Sequence, residues 1–450
     1  MQRLATLDIK LRCRCDVSIQ VVPEDWHKGV GGIMPKGLNV HSEIGALKKV
    51  LLHRPGEELL NLPPDELGRL LFDDVPFLEV AQEEHDRFAE ILREQGAEVL
   101  YLEKLVAEAL DAAGTREEFT NQWLDESGLR GRHTRAVVKE FMDSIEDTQA
   151  FVEKSIAGIR KNELELPTRS SNLLADLVGA DQDSESDLLI DPMPNTYFTR
   201  DPFAIVGHGV NLNHMYSVTR NRETLYGKYI FRDHPEYKES PLWYRRDSAY
   251  HTEGGDVLNI NAHTLAIGIS QRTQAAAIDA LAQHMFWEKA DQCEIDTIYA
   301  FNIPVSRAFM HLDTVFTQID VDKFTIHPGI MGTLQVFKLT KGASEGEIAI
   351  EEMNDTLEHV LAKAMGLDTV QLIKCGGGDP VAAAREQWND GSNTLAVAPG
   401  KICVYQRNTV TNDVLYKEGL DLLVVPSAEL SRGRGGPRCM SMPFWREDLV

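Results

Sequence analysis

The feature that most constrains this fold is a helical pattern that stops at a glycine and passes at once into an apolar, β-branched strand. Residues 77–103, 354–375 and 415–426 each show this pattern, and residues 275–301 contain a looser copy. Each copy is one α/β unit that must bury an apolar helix face against a sheet. Repeated copies therefore predict a repeated α/β architecture.

Two hairpin-like apolar runs lie between these units. Residues 256–270 (DVLNINAHTLAIGIS) and 393–407 (NTLAVAPGKICVYQR) place turn residues between two strand-forming segments. Units of hairpin, helix and strand favour radial or stacked repetition, as in propeller-like folds. The alternative is a doubly wound sheet, which would show mainly alternation of single strands and helices. We therefore favour the repeat.

Composition divides the chain into three regions. Residues 104–180 carry almost no strand pattern and are rich in Ala, Leu, Glu and Lys, which predicts an inserted helical domain. Residues 1–37 lack a continuous apolar segment and a small-residue cleavage site, so we expect an N-terminal extension outside the fold and no signal peptide. The α/β domain is then expected to comprise residues 38–103 and 181–450.

Charge and hydropathy exclude several classes of protein. The 450 residues are 43% hydrophobic, enough for a large core, and no apolar run approaches the roughly 20 residues that cross a bilayer. The formal net charge of -24 would repel phosphate backbones, which argues against a nucleic-acid partner. Six cysteines without a CxxC pair are typical of free thiols in a reducing cytoplasm, where we expect the protein to reside.

Four polar clusters interrupt apolar surroundings, and Cys439 closes the last of them. The clusters are NTYFTRD (195–201), HTEGGD (251–256), MHLDTVF (310–316) and RGRGGPRC (432–439). Positive charge and exposed backbone amides around Cys439 would lower the pKa of its thiol and favour a nucleophilic thiolate. A buried structural cysteine is the alternative, which we retain for the other five because they lack such a flank.

His311 and Asp313 are two residues apart. If residues 310–320 form a strand, both side chains lie on one face, which suits general acid–base chemistry. A core histidine beside a surface aspartate is the plain structural alternative. A metal site is a third, but no second histidine occurs at ligand spacing, so we predict no metal.

Three further acids, Glu253, Asp256 and Asp201, are ambiguous when taken singly. Glu253 and Asp256 flank two glycines and could form an acidic turn, while Asp201 precedes Pro202 and could be a turn or capping residue. Several carboxylates beside a thiol nevertheless match a guanidinium, which is planar, has five N–H donors and has no acceptor. An acyl-transfer site would instead need an oxyanion hole and few acids.

Three arginines near these clusters, Arg220, Arg272 and Arg434, could bind a carboxylate at the other end of a substrate. Surface salt bridges are the alternative for each of them. An amino acid with a guanidinium tail would satisfy both ends of such a site.

From about Leu38 to its C-terminus the chain resembles the arginine deiminases. The resemblance rests on motifs in a fixed order, among them NVHSEIGALKKVLLHRPG, PMPNTYFTRDPF, TRNRETLYGKYIF, EGGDVL, MHLDTVFTQID, REQWNDGSNT and RGRGGPRCMSMPF. It implies the five-bladed α/β propeller of the guanidino-group-modifying (pentein) superfamily, with a helical insertion. It also implies hydrolysis of L-arginine to L-citrulline and ammonia through an amidino-cysteine (thiouronium) intermediate, the first step of arginine degradation by the deiminase pathway.

The resemblance also assigns roles to the five residues expected to take part in catalysis. Cys439 would be the nucleophile, and His311 would protonate the leaving ammonia and then activate water. Asp201 and Asp313 would bind guanidinium nitrogens. Glu253 would bind the guanidinium or support His311.

By the same resemblance, five residues would bind the rest of the substrate. Asn195, Arg220 and Arg272 would hold the α-carboxylate and α-amino end. Arg434 would lie on a loop over the site, and Phe198 would pack against the substrate stem.

No cofactor is expected, because the thiol supplies the nucleophile and water is the second substrate. Since related enzymes form homo-oligomers, we expect copies of the chain as partners and no membrane contact. Three alternatives remain: a hydrolase of agmatine or methylated arginine, an amidinotransferase, and a non-catalytic arginine-binding protein. The carboxylate-binding arginines argue against agmatine, the helical insertion argues against the smaller dimethylarginine hydrolases, and the activated thiol argues against binding alone.

Overall fold

The computed structural model of the protein describes residues 36–165, 174, 186–304, 309–330 and 334–449. The predicted extension 1–37 therefore lies outside the described residues, apart from its last two.

The regular elements are numbered in chain order. The strands are β1 Leu47–Leu52, β2 Glu98–Tyr101, β3 Ile159–Arg160, β4 Leu188–Ile190, β5 Phe203–Val206, β6 Gly209–Leu212, β7 Leu242–Tyr244, β8 Val257–Asn261, β9 Thr264–Ile269, β10 Thr297–Asn302, β11 Phe316–Gln318, β12 Lys323–Ile326, β13 Gln335–Lys341, β14 Ile348–Met353, β15 Gln371–Lys374, β16 Leu395–Ala398, β17 Lys401–Tyr405, β18 Asp421–Val425 and β19 Met442–Arg446. The α-helices are α1 Leu67–Leu70, α2 Leu78–Glu94, α3 Leu102–Ala113, α4 Arg116–Glu126, α5 Arg132–Asp143, α6 Thr148–Ala157, α7 Val218–Asn221, α8 Thr224–Asp233, α9 Ala275–Gln283, α10 Leu312–Val315, α11 Leu357–Met365, α12 Pro380–Trp388 and α13 Thr409–Lys417.

The helix–glycine–strand units of the sequence are present as helices followed by strands. Helices α2, α11 and α13 are followed by Gly96, Gly366 and Gly419, whose φ angles are +85°, +71° and +88°. This left-handed backbone is strained for residues with a Cβ atom, so glycine ends each helix and turns the chain toward β2, β15 and β18. The two predicted hairpins are β8–β9 and β16–β17.

One three-stranded motif occurs five times among the described residues. In each, the first strand pairs antiparallel with the second, and the second pairs parallel with the third. The motifs are β5-β6-β7, β8-β9-β10, β11-β12-β15, β16-β17-β18 and β19-β1-β2. Strands β13 and β14 extend the second motif to five strands. The sheets and intervening helices make a mixed α/β fold.

The fifth motif joins the two ends of the described chain. Strand β1 pairs with β19 in antiparallel register, with Leu47 opposite Arg446. The backbone N–H of Asn39 donates to the Phe444 carbonyl at 2.9 Å, and that of Arg446 donates to the Asn39 carbonyl at 2.7 Å. The segment before β19, which carries Cys439, is therefore fixed by β1.

Four consecutive helices, α3 to α6, lie between β2 and β3 and pack on α8 through buried rings. The ring of Phe119 in α4 contacts the rings of Phe151, Tyr226 and Tyr229 at centroid distances of 5.7, 5.7 and 5.1 Å. Within the described ranges, none of the helices is both long and apolar enough to cross a membrane.

Candidate active site

The predicted polar clusters all occupy the same place in the repeated motif. Asp201 precedes β5, Glu253 precedes β8, His311 and Asp313 precede β11, and Cys439 precedes β19. Because the motif repeats, the residues that lead into its first strand can converge although they are distant in sequence. The structure does bring these five together.

The fourth motif contributes a segment that the sequence analysis did not assign to the site, namely residues 390–393 before β16. The Asn393 amide joins two parts of the site: its Oδ1 accepts from the Cys439 N–H at 3.2 Å, and its Nδ2 donates to the Asp313 carbonyl at 3.3 Å. Asp390 is buried with φ +54°, and burial raises the pKa of its carboxyl to about 7 against the opposing charge of Arg434. In the sequence, this segment could have been recognised from its position directly before the predicted hairpin 393–407.

A narrow cavity collects most of the predicted residues. Eight of them line it: Asn195, Phe198, Asp201, Arg220, Arg272, His311, Arg434 and Cys439. The other two, Glu253 and Asp313, are fully buried and do not line it.

His311 does not share a strand with Asp313, as the sequence analysis had expected. It is the N-cap residue of the short helix α10, whose first N–H, that of Leu312, donates to Asp256 Oδ1 at 2.9 Å. This buried acceptor stabilises a helical turn where the spacing alone favoured a strand. The strand begins only at Phe316.

The imidazole of His311 lies among carboxylates. Its Nε2 is 2.8 Å from Glu253 Oε2, and its Nδ1 is 3.9 Å from Asp201 Oδ1. Burial opposes protonation, but Asp201, Glu253 and Asp256 outweigh it and raise the pKa of His311 to about 9. The pKa of Glu253 is lowered, because Arg272 and His311 overcome the effect of its burial. At neutral pH the pair is an imidazolium and a carboxylate.

Asp201, Glu253 and His311 could also be considered as metal ligands, since their ligand atoms lie within 4.8 Å of one another. A protonated imidazole has no lone pair for a metal. The raised pKa of His311 and its short contact with Glu253 therefore favour an ion pair at this position.

The Cys439 thiol has a raised pKa, and the sequence-based expectation of a lowered one was wrong. Its Sγ lies 3.7 Å from Asp313 Oδ2. Burial has the largest effect on the pKa, followed by the negative charges of Asp313, Asp201 and Asp390, and together they raise it well above the ordinary value. Without a bound cation, the thiol is protonated at neutral pH.

Two of the arginines near Cys439 in sequence, Arg432 and Arg438, form ion pairs with carboxylates and not with the thiol. Arg438 donates to Asp313 Oδ2 at 2.7 Å and to both carboxylate oxygens of Glu43 at 3.0 and 3.1 Å. Arg432 pairs with Asp74 at 2.6 Å and with Glu429 at 2.8 Å. Arg438 thus holds Asp313 in place, a role that the sequence analysis missed along with the contribution of Glu43.

Arg220 is held by a second buried acid that the sequence analysis missed. Its Nε and Nη2 donate to Glu223 at 3.0 and 2.9 Å, and its Nη1 donates to Asp201 Oδ2 at 3.0 Å. The three side chains form one buried network, in which Glu223 orients Arg220 and Arg220 orients Asp201. The signal was the i, i+3 spacing of Arg220 and Glu223.

Two kinds of unpaired polar atom remain buried at the site. Asp201 Oδ1 and Asp313 Oδ1 have no hydrogen-bond donor among the described residues. Likewise, Nε and Nη1 of Arg272 and of Arg434 have no hydrogen-bond acceptor among the residues that the structure describes. Buried polar groups are usually satisfied by a protein partner, an ordered water or a ligand.

Glycines allow the chain to close around these side chains. A Cβ at Gly255 would lie 2.6 Å from His311 Nδ1, and one at Gly435 would lie 2.6 Å from Cδ1 of Phe198. The ring of Phe198 can therefore lie against the loop of Arg434, whose guanidinium stacks over Trp388 at 4.0 Å. Asn195 is fixed by donation from its Nδ2 to the Leu70 carbonyl at 3.0 Å.

Comparison with solved structures gives the class of fold. The amidinotransferase SxtG from Microseira wollei, in the saxitoxin biosynthetic pathway, aligns with a TM-score of 0.50 at 14% identity, covering 92% of this chain and 98% of that one. The protein therefore has a mixed α/β fold similar to that of an amidinotransferase.

Sequence comparison is more specific. The model of the arginine deiminase family matches residues 68–446. An arginine deiminase from Treponema denticola is 55% identical over 414 residues, covering 92% of this chain and 99% of its own, and one from Clostridium perfringens is 55% identical over 419 residues with the same coverage. The chain belongs to the arginine deiminase family, which confirms the resemblance drawn from its motifs.

Proposed function

We propose that the chain hydrolyses a C–N bond of L-arginine, giving L-citrulline and ammonia through a covalent amidino-cysteine on Cys439. Family membership supports this reaction. The observation that carries it is the pattern of unpaired buried atoms: acceptors on Asp201 and Asp313 near the thiol, and donors on Arg272 and Arg434. A guanidinium supplies the missing donors, and an α-carboxylate supplies the missing acceptors.

In this proposal the bound substrate lowers the pKa of the Cys439 thiol that attacks it. A guanidinium placed between Asp201 and Asp313 neutralises two of the charges that raise the pKa of Cys439. The thiol then releases its proton, and the thiolate attacks the guanidinium carbon. The thiol proton passes to solvent. The leaving nitrogen takes a proton from the imidazolium of His311 and departs as ammonia, which leaves His311 neutral. The product is a cationic S-alkyl thiouronium.

In the second half of the reaction, water attacks the thiouronium carbon. The neutral imidazole of His311 takes a proton from this water and becomes an imidazolium again, and the carbon–sulfur bond breaks to release citrulline and the Cys439 thiol. One proton is released overall and is taken up by ammonia. Glu253, 2.8 Å from the imidazole, stabilises the charged form of His311 in both halves.

The amino-acid end of the substrate would meet Arg272 and Arg434. Nε of both and Nη1 of Arg434 have no hydrogen-bond acceptor, while Nη1 of Arg272 lies 3.5 Å from Glu253 Oε2. Asn195 and Phe198 line the same cavity and would contact the α-amino group and the methylene stem. Arg220 would act mainly by orienting Asp201, and would bind the carboxylate directly only by exchanging a partner.

The architecture extends the proposal. Five equivalent three-stranded motifs support a five-bladed propeller formed by residues 38–103 and 181–450. Helices α3 to α6 support an inserted helical domain over residues 104–180. We propose that the protein is a cytoplasmic homo-oligomer and that its reaction uses no cofactor and no metal ion.

The test is citrulline and ammonia release from L-arginine, with agmatine and asymmetric dimethylarginine assayed under identical conditions. The proposal expects turnover of arginine alone. Turnover of agmatine would leave the thiol chemistry but contradict the binding of a carboxylate by Arg272 and Arg434. Inactivity on all three would favour a binding protein, which calorimetric titration with arginine would then detect.

A further inference from the structure

Two histidines outside the cavity are brought together by the backbone. Val40 and Gly207 form an isolated antiparallel bridge, in which each N–H donates to the other carbonyl at 2.9 and 2.8 Å. His41 and His208 are the next residues in the two segments. Their rings lie with centroids 4.9 Å apart and planes at 85°. Gly207 has φ +56°, and a Cβ there would lie 3.3 Å from His41 Nε2, so the turn leaves room beside this nitrogen.

Both imidazoles are oriented through Nδ1. His41 Nδ1 is 2.8 Å from Asp448 Oδ1, and His208 Nδ1 is 2.9 Å from the Leu38 carbonyl. Because each partner is an acceptor, each Nδ1 carries the proton and each Nε2 of the neutral ring has a free lone pair. This is how carboxylates and carbonyls orient histidines that bind metals. His41 Nε2 is buried and has no hydrogen-bond partner within the described part of the chain.

Glu294 supplies a third group at the same place. Its Oε2 lies 3.7 Å from His41 Nε2, too far for a hydrogen bond. One ligand atom from each of His41, His208 and Glu294 lies within 4.8 Å of the other two. Tetrahedral zinc needs ligand atoms roughly 3.3 Å apart at metal–ligand distances of about 2.0 Å, so a shift of up to about 1.5 Å closes the site. The Glu294 side chain is 55% exposed and can make that shift.

We propose that His41, His208 and Glu294 bind one divalent transition-metal ion of the zinc type, with water in the fourth position and Asp448 supporting His41. Two imidazoles and one carboxylate suit Zn²⁺, whereas Mg²⁺ and Ca²⁺ prefer oxygen ligands alone. The ion would connect the segment before β1, the β5–β6 turn, the loop before β10 and the segment after β19. It takes no part in the proposed reaction and does not depend on it.

The experiment is calorimetric titration of the untagged, chelator-treated protein with ZnCl₂, together with the visible spectrum of the Co²⁺ form. The expected result is one tight equivalent in the unaltered protein and tetrahedral Co²⁺ bands. His208→Gln should weaken binding by roughly 100-fold or more because a ligand is lost. Asp448→Asn should weaken it by roughly 10-fold, because only the orientation of His41 is affected. His359→Gln, on the exposed face of α11, is the matched control and should bind as the unaltered protein does.

The same titration can contradict the proposal in two ways. Equal binding by the unaltered protein and by His208→Gln would show that His208 is not a ligand, and no binding by either would show that there is no site. Both results would contradict the proposal and leave His41 as an ion-paired histidine only. Loss of the tight equivalent in Cys439→Ser, with His208→Gln unaffected, would place the ion at the thiol. Thermal melts in chelator confirm that the exposed substitutions leave the metal-free protein folded.

Discussion

The negative charge around Cys439 comes from carboxylates that are distant in sequence, and it influences the pKa of the thiol. Burial raises the pKa of the thiol most; Asp313, Asp201 and Asp390 raise it further, while Arg438 lowers it. A thiol in such surroundings is a poor nucleophile until a cation binds beside it. The arrangement therefore couples nucleophilicity to the charge of the ligand.

Asp201→Asn should change thiol reactivity and turnover in opposite directions. Removal of one negative charge lowers the pKa of Cys439. Alkylation by iodoacetamide at pH 8 should then become up to roughly tenfold faster for each unit by which this pKa falls. Citrulline formation should fall, because one guanidinium ligand is lost. Alkylation can be followed by mass spectrometry, with the exposed Asp322→Asn as the control. Slower alkylation of the Asp201→Asn thiol would contradict this account.

Cys439→Ser should abolish turnover while arginine still binds. The carboxylates and arginines that satisfy the substrate remain, whereas the nucleophile is lost, and the rate should fall by roughly 10⁴-fold or more. Citrulline release measures the first effect and calorimetry the second. Cys293→Ser, at a half-buried cysteine outside the cavity, should retain full activity. Unchanged ammonia release from the Cys439→Ser protein would exclude the thiol mechanism.

At the residue scale, the sequence predicted side chains that lie close together in the structure but not their protonation. The motifs identified eight residues that line one cavity. Charge near Cys439 in sequence, by contrast, gave the wrong sign for its pKa, since Arg432 and Arg438 pair with Asp74, Glu429, Glu43 and Asp313. Pairing partners of this kind are set by tertiary contacts, which spacing does not contain.

At the level of single elements, helix α2 forms hydrogen bonds with the start of the loop that carries Arg434 and Cys439. Glu84 lies buried on α2, and its carboxylate accepts from the backbone N–H groups of Ala428, Glu429 and Leu430. These are the residues that begin the turn Leu430–Gly433. A buried carboxylate thus substitutes for water at three donors and fixes the entry to the loop.

Glu84→Gln should loosen this loop. The amide oxygen can accept fewer and weaker hydrogen bonds than the carboxylate, so the free energy of unfolding should fall by about 1–3 kcal/mol. Denaturation by urea measures the loss, and Glu83→Gln, one residue away and exposed, is the matched control. Equal stability of the two variants would show that the three N–H groups do not depend on the carboxylate.

The predicted elements were those with a strong local signal. Glycines at 96, 366 and 419 ended helices where the pattern placed the break, because their left-handed backbone is a local requirement. Helix α10 was missed because the Asp256 carboxylate that stabilises its first turn comes from another motif. Residues 390–393 were not assigned to the site, because their position before a hairpin does not show that their side chains reach Cys439, Asp313 and Arg434, which come from other motifs.

Over the whole molecule, a buried histidine joins the sheet of β1 to the helices that follow β2. His53 lies directly after β1, with Nδ1 2.8 Å from Glu103 Oε2 in α3 and Nε2 3.2 Å from Glu58 Oε1. Burial opposes its protonation, but the two carboxylates raise the pKa of His53 to about 10. The imidazolium is therefore part of the folded state at neutral pH.

His53→Asn should destabilise the protein in a pH-dependent manner. The folded pKa of about 10 exceeds the unfolded value near 6.5, so the stabilisation is complete below about pH 6.5 and is lost as the pH rises through 10. Loss of one partner from a buried ion pair costs about 3 kcal/mol or more at neutral pH. Urea unfolding at pH 7 and pH 10.5 should show the difference from the unaltered protein shrinking, while the exposed His133→Gln shows none at either pH.

The pairing of β1 with β19 also orders events during synthesis. A ribosome produces the chain from its amino end, so β1 emerges early and its antiparallel partner emerges last. The segment bearing Cys439 can take its place only when that final strand docks. A nascent chain can therefore complete its other sheets while the thiol is still unpositioned, and a premature stop codon before β19 would remove the strand whose pairing with β1 positions Cys439.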